Sequence, residues 1–281
     1  MALPDPHPDA TVVVTGASAG IGEALARELA ARGHGLSLVA RRGPLLDELA
    51  GELEDAHGVE VSVHVADLGE DEERLRLLDE LADDGREVAG LCNNAGIGAF
   101  GRVADHDPEV EERLVRLNVL ALHSLTTRLI GPMVERGAGA ILNVGSIFAF
   151  APIPQNASYA ATKAFVASLS EALHAELGGT GVSCTVVSPG PTRTDIFGAS
   201  GAPGATGFGP GVIWQAPEAV ARAAVDAMED GRRTVVPGLT NKLAVLGYRF
   251  TPRTPFLPVA RLAQSRAVRR VLLGEEAAGG A

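Results

Sequence analysis

The chain has 281 residues, of which 46% are hydrophobic and 21% charged, and its formal net charge is −11. This composition suits one large α/β domain with a substantial core and is unlike that of a disordered protein. The negative charge argues against a general nucleic-acid-binding protein, which needs a basic surface, and no apolar run approaches the length of a membrane span.

The first ten residues hold three prolines and two aspartates. They lack the basic and apolar regions of a signal peptide, so we interpret residues 1–10 as a loose leader. Cys92 and Cys184 lie in apolar, strand-like segments and are expected to be buried, unreactive thiols rather than a disulfide. These observations predict a cytoplasmic protein.

Short apolar runs alternate with helical patterns through the first two thirds of the chain. Apolar strands joined by crossover helices form parallel sheets that are covered on both faces. We therefore predict an α/β fold, a Rossmann-type doubly wound parallel sheet of about seven strands. Strands are predicted at 11–15, 35–40, 59–65, 88–93, 140–144, 183–187 and near 234–236. The main helices are predicted at 23–32, around 45–53, and at 108–135, 157–177 and 217–229.

The regular pattern lapses from 194 to 214, where six glycines and two prolines lie between Gly198 and Gly211. Long loops inside compact domains are usually lids or binding segments. We thus expect a single Rossmann-fold domain at 11–238, with a substrate loop at 194–214, and a partly helical C-terminal extension at 239–281.

The extension belongs to a basic stretch, because residues 231–274 hold nine basic residues and no acidic one. Three roles stay open for it: packing over the substrate cleft, an oligomer contact, or peripheral association with an anionic membrane. Solvated charge is commoner than membrane binding in such segments, so we rank the membrane last.

Gly16, Gly20 and Gly22 form a GxxxGxG pattern between the first strand and the first helix. Missing side chains let the backbone approach a pyrophosphate, whose charge suits the helix N-terminus. A tight turn alone would need the same residues, but the position in the first βαβ unit favours a dinucleotide site.

The second strand ends in Ala40-Arg41-Arg42. An acidic residue there binds the ribose 2′-hydroxyl of NAD, whereas an arginine pairs with the 2′-phosphate of NADP. We therefore predict NADP(H), with NAD(H) possible and Ser18 assisting Arg41. A merely solvated basic turn is less attractive, because two cations at a helix start oppose its dipole.

Tyr159 and Lys163 are four residues apart on a predicted helix, thirteen residues after Ser146. One helical turn brings the phenol and the ammonium to the same face. A nearby cation is expected to lower the pKa of Tyr159 toward the range of acid–base catalysis. On its own, the pair would more often be a half-buried ring beside a solvated charge.

Together these motifs resemble the short-chain dehydrogenase/reductase family, in its compact single-domain branch, over roughly residues 11–238. The resemblance depends on Thr15 to Gly22, Asp67, Asn93 to Gly96, Asn118, Ser146, Tyr159 to Lys163, and Pro189 to Thr192. It implies a catalytic set of Asn118, Ser146, Tyr159 and Lys163. Tyr159 would be the general acid, Ser146 would bind the carbonyl oxygen, Lys163 the nicotinamide ribose, and Asn118 a proton-relaying water. By sequence alone, an exposed helix residue is an equal alternative for Asn118.

The resemblance and the residue patterns define two predicted binding sites. The cofactor site consists of Gly16, Ser18, Gly20, Ile21, Gly22, Arg41, Arg42, Asp67, Leu68, Asn94, Ala95, Gly96, Asn118, Tyr159, Lys163, Pro189, Gly190, Thr192 and Thr194. The substrate site consists of Ser146, Phe148, Ile153, Tyr159, Phe197 and Trp214. We expect no metal, because His106, His123 and His174 lack ligand spacing. The resemblance also implies a homodimer or homotetramer formed through helices 108–135 and 157–177.

We predict that the protein is an NADP(H)-dependent oxidoreductase that transfers a hydride between nicotinamide and a carbonyl or secondary alcohol. The predicted direction is the reduction of a hydrophobic ketone or aldehyde, which would make it a carbonyl reductase. The alternatives are an NAD-dependent alcohol dehydrogenase working oxidatively and a non-catalytic dinucleotide-binding regulatory protein. An intact catalytic set disfavours the regulatory protein, which has no need of a tuned phenol.

Overall fold

The computed structural model describes residues 3–194, 214–252, 254, 256–258 and 261. Within them the fold is built on one parallel sheet of seven strands in the order β3-β2-β1-β4-β5-β6-β7. The predicted Rossmann-type sheet is thereby confirmed. The strands are β1 Ala10–Thr15, β2 Leu36–Ala40, β3 Val61–Val65, β4 Glu87–Asn93, β5 Gly139–Val144, β6 Val182–Val187 and β7 Thr234–Val235.

The order of the sheet reverses between β1 and β4. The chain first runs outward from β1 to β3, then returns so that β4 pairs with the other edge of β1. Crossover connections leave from the carboxyl ends of β1 and β4 in opposite directions, which opens a crevice between them. This topology determines where a ligand can bind.

Helices cover both faces of the sheet. They are α1 Gly20–Ala31, α2 Gly43–His57, α3 Asp71–Asp83, α4 Pro108–Val115, α5 Leu122–Arg136, α6 Ala157–Glu176, α7 Pro217–Glu229 and α8 Leu239–Phe250. Side chains alternate along a strand, so Val12 and Val14 of β1 pack toward α1, α2 and α7 while Val13 packs toward α3 and α5. The two resulting apolar layers hold the sheet between them.

The region predicted as one helix at 108–135 is divided. Between α4 and α5 lies a π-helical segment, Arg116–Ala121, that contains Asn118. A π turn accommodates one extra residue and is common at functional sites. The sequence pattern predicts one regular helix in this region and does not indicate the π-helical segment.

The leader is not loose throughout, which corrects the interpretation from sequence. Leu3 is buried, and its backbone N–H donates to the Met228 carbonyl at 3.4 Å. Gly90 of β4 leaves the space that Leu3 fills, since a side chain there would meet Leu3, Val12 and Met228.

The start of the basic extension adjoins the domain. Helix α8 packs against a short 3-10 turn at Ile147–Phe150, with Asn241 and Val245 buried. In the part of the chain that the structure describes, no helix combines the length and apolarity needed to cross a membrane. The predicted loop 194–214 lies almost wholly outside the described residues.

Candidate active site

A cleft of about 700 Å³ opens at the carboxyl ends of the strands, at the crevice between β1 and β4. Most of the residues predicted for the two binding sites line this cleft. They are Gly16, Ser18, Gly20, Ile21, Arg41, Arg42, Asp67, Leu68, Asn94, Ala95, Gly96, Ser146, Phe148, Tyr159, Lys163, Pro189, Gly190, Thr192, Thr194 and Trp214.

The glycine-rich turn forms one wall of the cleft. Gly16 and Gly20 have φ values of +67° and +62°, which L side chains rarely adopt. A Cβ on Gly22 would overlap the Gly16 carbonyl oxygen. Helix α1 follows with Ala19 as its N-cap, so no side chain caps the first N–H groups. Those free backbone amide groups can therefore bind an anion.

Asn94 braces the glycine-rich turn from the neighbouring strand. Its side-chain nitrogen donates to the Thr15 carbonyl at 2.9 Å and to the Gly16 carbonyl at 3.3 Å. The Thr15 hydroxyl in turn accepts from the backbone N–H groups of Asn94 and Ala95. The ends of β1 and β4 are thereby held together across the crevice.

Two arginines stand at the end of β2. Arg42 hydrogen-bonds Ser18: its guanidinium donates to the Ser18 hydroxyl at 3.0 and 3.2 Å and to the Ser18 carbonyl. Arg41 is half exposed and lies 3.8 Å from Asp67, whose carboxylate is also paired with Arg113 at 2.7 Å. The Arg41 guanidinium therefore faces solvent at the cleft edge.

Ser146, Tyr159 and Lys163 meet deeper in the cleft. Ser146 follows β5, while Tyr159 and Lys163 lie one turn apart on α6. The side chains of Ser146 and Tyr159 are hydrogen-bonded, and Lys163 Nζ lies 5.8 Å from the centre of the Tyr159 ring. Lys163 Nζ also donates to the Val144 carbonyl at 2.8 Å. Phe148 packs edge-on against Tyr159, with the ring centres 6.3 Å apart.

Burial dominates the ionisation of this pair, contrary to the expectation from sequence. Loss of water raises the pKa of Tyr159 to about 12, against a smaller lowering by the Ser146 hydrogen bond. Burial also lowers the pKa of Lys163 to about 8. Both shifts favour the neutral form, because a charge is costly away from water. The phenol is consequently protonated at neutral pH.

Asn118 is buried, so the alternative of an exposed helix residue is wrong. Its side-chain oxygen accepts from the Ile97 N–H and its nitrogen donates to the Ile97 carbonyl, both at 2.9 Å. The nitrogen also donates to the Thr162 hydroxyl, next to Lys163. A Cβ on Gly96 would lie 3.0 Å from Asn118 Oδ1 and 3.7 Å from Lys163 Nζ. The π-helical segment thus joins the β4 loop to α6 beneath the cleft.

Four predicted residues do not line the cleft. Gly22 and Asn118 lie behind its wall, Ile153 is buried away from it, and Phe197 lies outside the described residues. Conversely, the cleft has lining residues that sequence reasoning missed, among them Phe100, Leu117, Asn156, Thr240, Asn241 and Tyr248. Asn156 could have been identified from the sequence, because it is a polar residue three positions before Tyr159 of the predicted catalytic set.

Other titratable residues lie outside this arrangement. Cys92 and Cys184 are buried free thiols, as predicted, and burial raises the pKa of each to about 12. His106 contacts Glu111 and the Phe100 carbonyl. Among the described residues no group of His, Cys, Asp and Glu side chains could hold a metal ion.

The chain is similar to known proteins along most of its length. A sequence model described as short chain dehydrogenase matches residues 10–203. The very-long-chain 3-oxoacyl-CoA reductase of Anas platyrhynchos is 38% identical over 188 residues, which cover 64% of this chain and 59% of that protein. The match thus spans less than two thirds of the relative's length.

Two solved structures cover nearly the whole chain. A short-chain dehydrogenase from Sphingobium yanoikuyae in complex with NADPH is 33% identical, with a TM-score of 0.76, and the match covers 97% of this chain and 98% of that one. A 7beta-hydroxysteroid dehydrogenase is 26% identical, with a TM-score of 0.80 and coverage of 93% and 100%.

Proposed function

The chain belongs to the short-chain dehydrogenase family, and from this premise we propose that it is an NADP(H)-dependent oxidoreductase that reduces a hydrophobic ketone or aldehyde. One observation carries the proposal: the hydrogen-bonded Ser146 and Tyr159 side chains, with Lys163 beside them, lie in the same cleft as the glycine-rich turn. One cavity thus contains both a proton donor and a turn that can bind a nucleotide, which is the arrangement that hydride transfer to a carbonyl requires.

Each member of the set has a chemical task. When bound, the nicotinamide supplies the hydride. Tyr159 donates its proton to the carbonyl oxygen of the substrate, and Ser146 donates a hydrogen bond to the same oxygen as negative charge grows there. Lys163 stabilises the phenolate that remains. Asn118 fixes the backbone of Ile97 and thereby the floor beneath Lys163.

The protonation state of Tyr159 at neutral pH is the one that carbonyl reduction uses. A phenol whose pKa is raised to about 12 is protonated at neutral pH, which is the form needed to give a proton away. Oxidation of an alcohol needs the deprotonated form.

The two arginines at the end of β2 support NADP(H) as the cofactor. Arg42 is held over the glycine-rich turn by Ser18, and Arg41 is half exposed at the cleft edge, so both can reach an additional phosphate on the ribose. The uncapped N-terminus of α1 suits the pyrophosphate. The similar structure from Sphingobium yanoikuyae holds NADPH.

The lining of the cleft supports a hydrophobic substrate. Phe100, Leu117, Ile147, Phe148 and Trp214 contribute apolar surface around Tyr159. The names of two similar proteins, a very-long-chain 3-oxoacyl-CoA reductase and a 7beta-hydroxysteroid dehydrogenase, point to substrates with a large apolar part. A bulky ketone is therefore the substrate class that we propose.

A homo-oligomer formed through α4, α5 and α6 is part of the proposal. The helical segment from α4 to α5 exposes Val110, Val115 and Leu120, and α6 exposes Phe165. Exposed apolar side chains on adjoining helices are typical of a subunit interface. Light scattering on the wild type and on Phe165→Asp tests it, because the substitution should shift the mass toward the monomer.

The experiment for the proposed reaction measures NADPH consumption with a panel of ketones and aldehydes of increasing size, with NADH in parallel. We expect the highest kcat/KM for a bulky apolar ketone with NADPH. Equal kcat/KM values with NADH would remove the cofactor assignment, and no turnover of any carbonyl compound would remove the reductase assignment.

A further inference from the structure

Helix α8 has two unlike sides. The inner side carries Asn241, Ala244 and Tyr248, which line the cleft. The outer side carries four large apolar residues at spacings of four, three and four, so they form a single stripe along the helix. We call them the α8 stripe: Leu239, Leu243, Leu246 and Phe250.

The α8 stripe is exceptional in this molecule. Its members are 73%, 60%, 53% and 78% exposed in chain order. Among the described residues, no other large hydrophobic side chain is more than 48% exposed. A contiguous exposed apolar patch generally marks an interaction surface. The sequence alone ranked membrane association last among the roles of the extension, and the exposure of the stripe reverses that ranking.

Charge identifies the surface that fits the stripe. Lys242 and Arg249 flank it, within a stretch of nine basic residues and no acidic one at 231–274. Arg249 stacks over Phe150 and lies 3.6 Å from Glu171 of α6, the one acidic group paired with a described residue of α8. The occupant should therefore be apolar inside and negatively charged at its rim.

A second copy of the chain could supply the apolar surface, but it would not supply negative charge at the rim. A two-fold contact through α8 would bring the same basic residues of both copies together, which is unfavourable. An anionic lipid bilayer meets both requirements, because acyl chains accept the leucines while phosphate groups attract lysine and arginine.

We propose that the α8 stripe docks this protein on an anionic lipid surface, with α8 lying in the plane of the interface. Docking in this way brings the outer side of α8 into the acyl boundary while its inner side still forms a wall of the cleft. The cleft then lies one helix diameter from the bilayer. A hydrophobic substrate dissolves in the bilayer and is therefore close to the cleft.

Vesicle cosedimentation of the full chain tests the proposal without any need for turnover. We expect binding to vesicles of phosphatidylcholine with phosphatidylglycerol, weaker binding to phosphatidylcholine alone, and release by added salt. Failure of the wild type to sediment with the anionic vesicles would overturn the proposal, as would equal binding to both compositions.

A matched pair of variants locates the surface. Leu243→Ser with Leu246→Ser should lower the vesicle partition coefficient by about tenfold or more, since each exchange removes an inserted apolar side chain. Leu45→Ser with Leu75→Ser changes two exposed leucines on α2 and α3 and should leave partitioning unchanged. Thermal unfolding and NADPH binding confirm that each variant is folded. A folded stripe variant that binds vesicles like the wild type would overturn the proposal.

Two further measurements test the role of charge and the alternative of a subunit interface. Lys242→Glu should weaken binding to anionic vesicles several-fold, because it reverses a charge at the rim of the stripe. Light scattering without lipid examines the second-copy alternative. If the wild type is a dimer that Leu243→Ser with Leu246→Ser dissociates, the stripe is a subunit interface and the lipid proposal is wrong.

Discussion

The side-chain nitrogen of Asn241 donates a hydrogen bond at 3.0 Å to the side-chain oxygen of Gln215. Gln215 pairs in a β-bridge with Thr192, and its backbone exchanges hydrogen bonds with Pro191 and Arg193. Asn241 also lies so close to Gly190 that no Cβ would fit between them. Helix α8 therefore holds the 189–194 segment, which forms part of the proposed cofactor site.

Replacing Asn241 should loosen that segment. Asn241→Leu keeps the branching of the side chain at Cγ but leaves the Gln215 and Pro237 oxygens without their donor, so the free energy of unfolding should fall by about 1–3 kcal/mol. NADPH binding should weaken along with it. Leu243→Ser, on the outer side of α8, is the control and should leave NADPH binding unchanged.

A double-mutant cycle separates this coupling from a general loss of stability. If Asn241 acts through Gln215, then Asn241→Leu combined with Gln215→Leu should raise the NADPH dissociation constant no more than the worse single variant. Additive changes would mean that the two side chains act independently.

The two tyrosines offer a test of the proton donor. The chain contains only Tyr159 and Tyr248, and both line the cleft. Tyr159→Phe should lower kcat by at least about a thousandfold while NADPH binding stays nearly intact, because only the proton donor is lost. Tyr248→Phe removes the other hydroxyl and should retain turnover. Retained turnover in Tyr159→Phe would contradict the assignment.

Arg41 should discriminate between the two dinucleotides. Arg41→Ala is expected to raise the NADPH dissociation constant by about 10- to 100-fold, because a charge-assisted pair with the 2′-phosphate is lost. The NADH dissociation constant should hardly change. Arg27→Ala, on the outer surface of α1, serves as the control arginine. Parallel losses for NADPH and NADH would contradict a phosphate contact.

Lys163 should make stability depend on pH. Its pKa is about 8 in the folded protein and 10.5 as a free side chain, so below pH 8 the folded state carries a buried charge at a cost. Between these values the unfolded chain binds the proton more strongly, and this contribution to stability rises with pH.

Lys163→Met should therefore be more stable than the wild type at pH 7, by up to about 3 kcal/mol. The difference should shrink as the pH rises from about 8 to 10.5. Urea unfolding of both proteins at several pH values measures it. Lys242→Met removes the only other lysine, which is exposed, and should show no such trend. A constant difference between Lys163→Met and the wild type would contradict the burial cost.

Gly22 and Gly51 form a matched pair of helical glycines. Gly22→Ala should abolish NADPH binding and destabilise the fold, because its Cβ would overlap the Gly16 carbonyl and crowd Asn94 Nδ2. Gly51→Ala meets nothing within 4 Å and should stabilise α2 by roughly 0.5–1 kcal/mol. Thermal unfolding and NADPH titration compare the two.

The sequence correctly predicted the features that depend on residues close together in the chain. The apolar runs identified the strands, and the one-turn spacing of Tyr159 and Lys163 placed both side chains in one cleft. The sequence did not indicate which arginine contacts Ser18, because Arg41 and Arg42 are adjacent and only the backbone geometry decides which of them turns back to the glycine-rich turn.

Long-range packing accounts for the other differences. The direction of the Tyr159 pKa shift depends on how much water the fold removes, which the spacing to Lys163 does not reveal. Asn241 and Tyr248 reach the cleft from a helix beyond the family motifs. No pattern within α8 indicates that its Asn241 packs on Gly190, because the two residues are distant in sequence.

The aromatic content of the cleft has a practical consequence. The only tryptophan of the chain, Trp214, lines the same cavity as its two tyrosines. All of its tyrosine and tryptophan fluorescence therefore originates from side chains that line this one cavity. Emission quenching or energy transfer to a reduced nicotinamide would report occupancy directly, with no extrinsic dye and no background from tyrosine or tryptophan elsewhere in the chain.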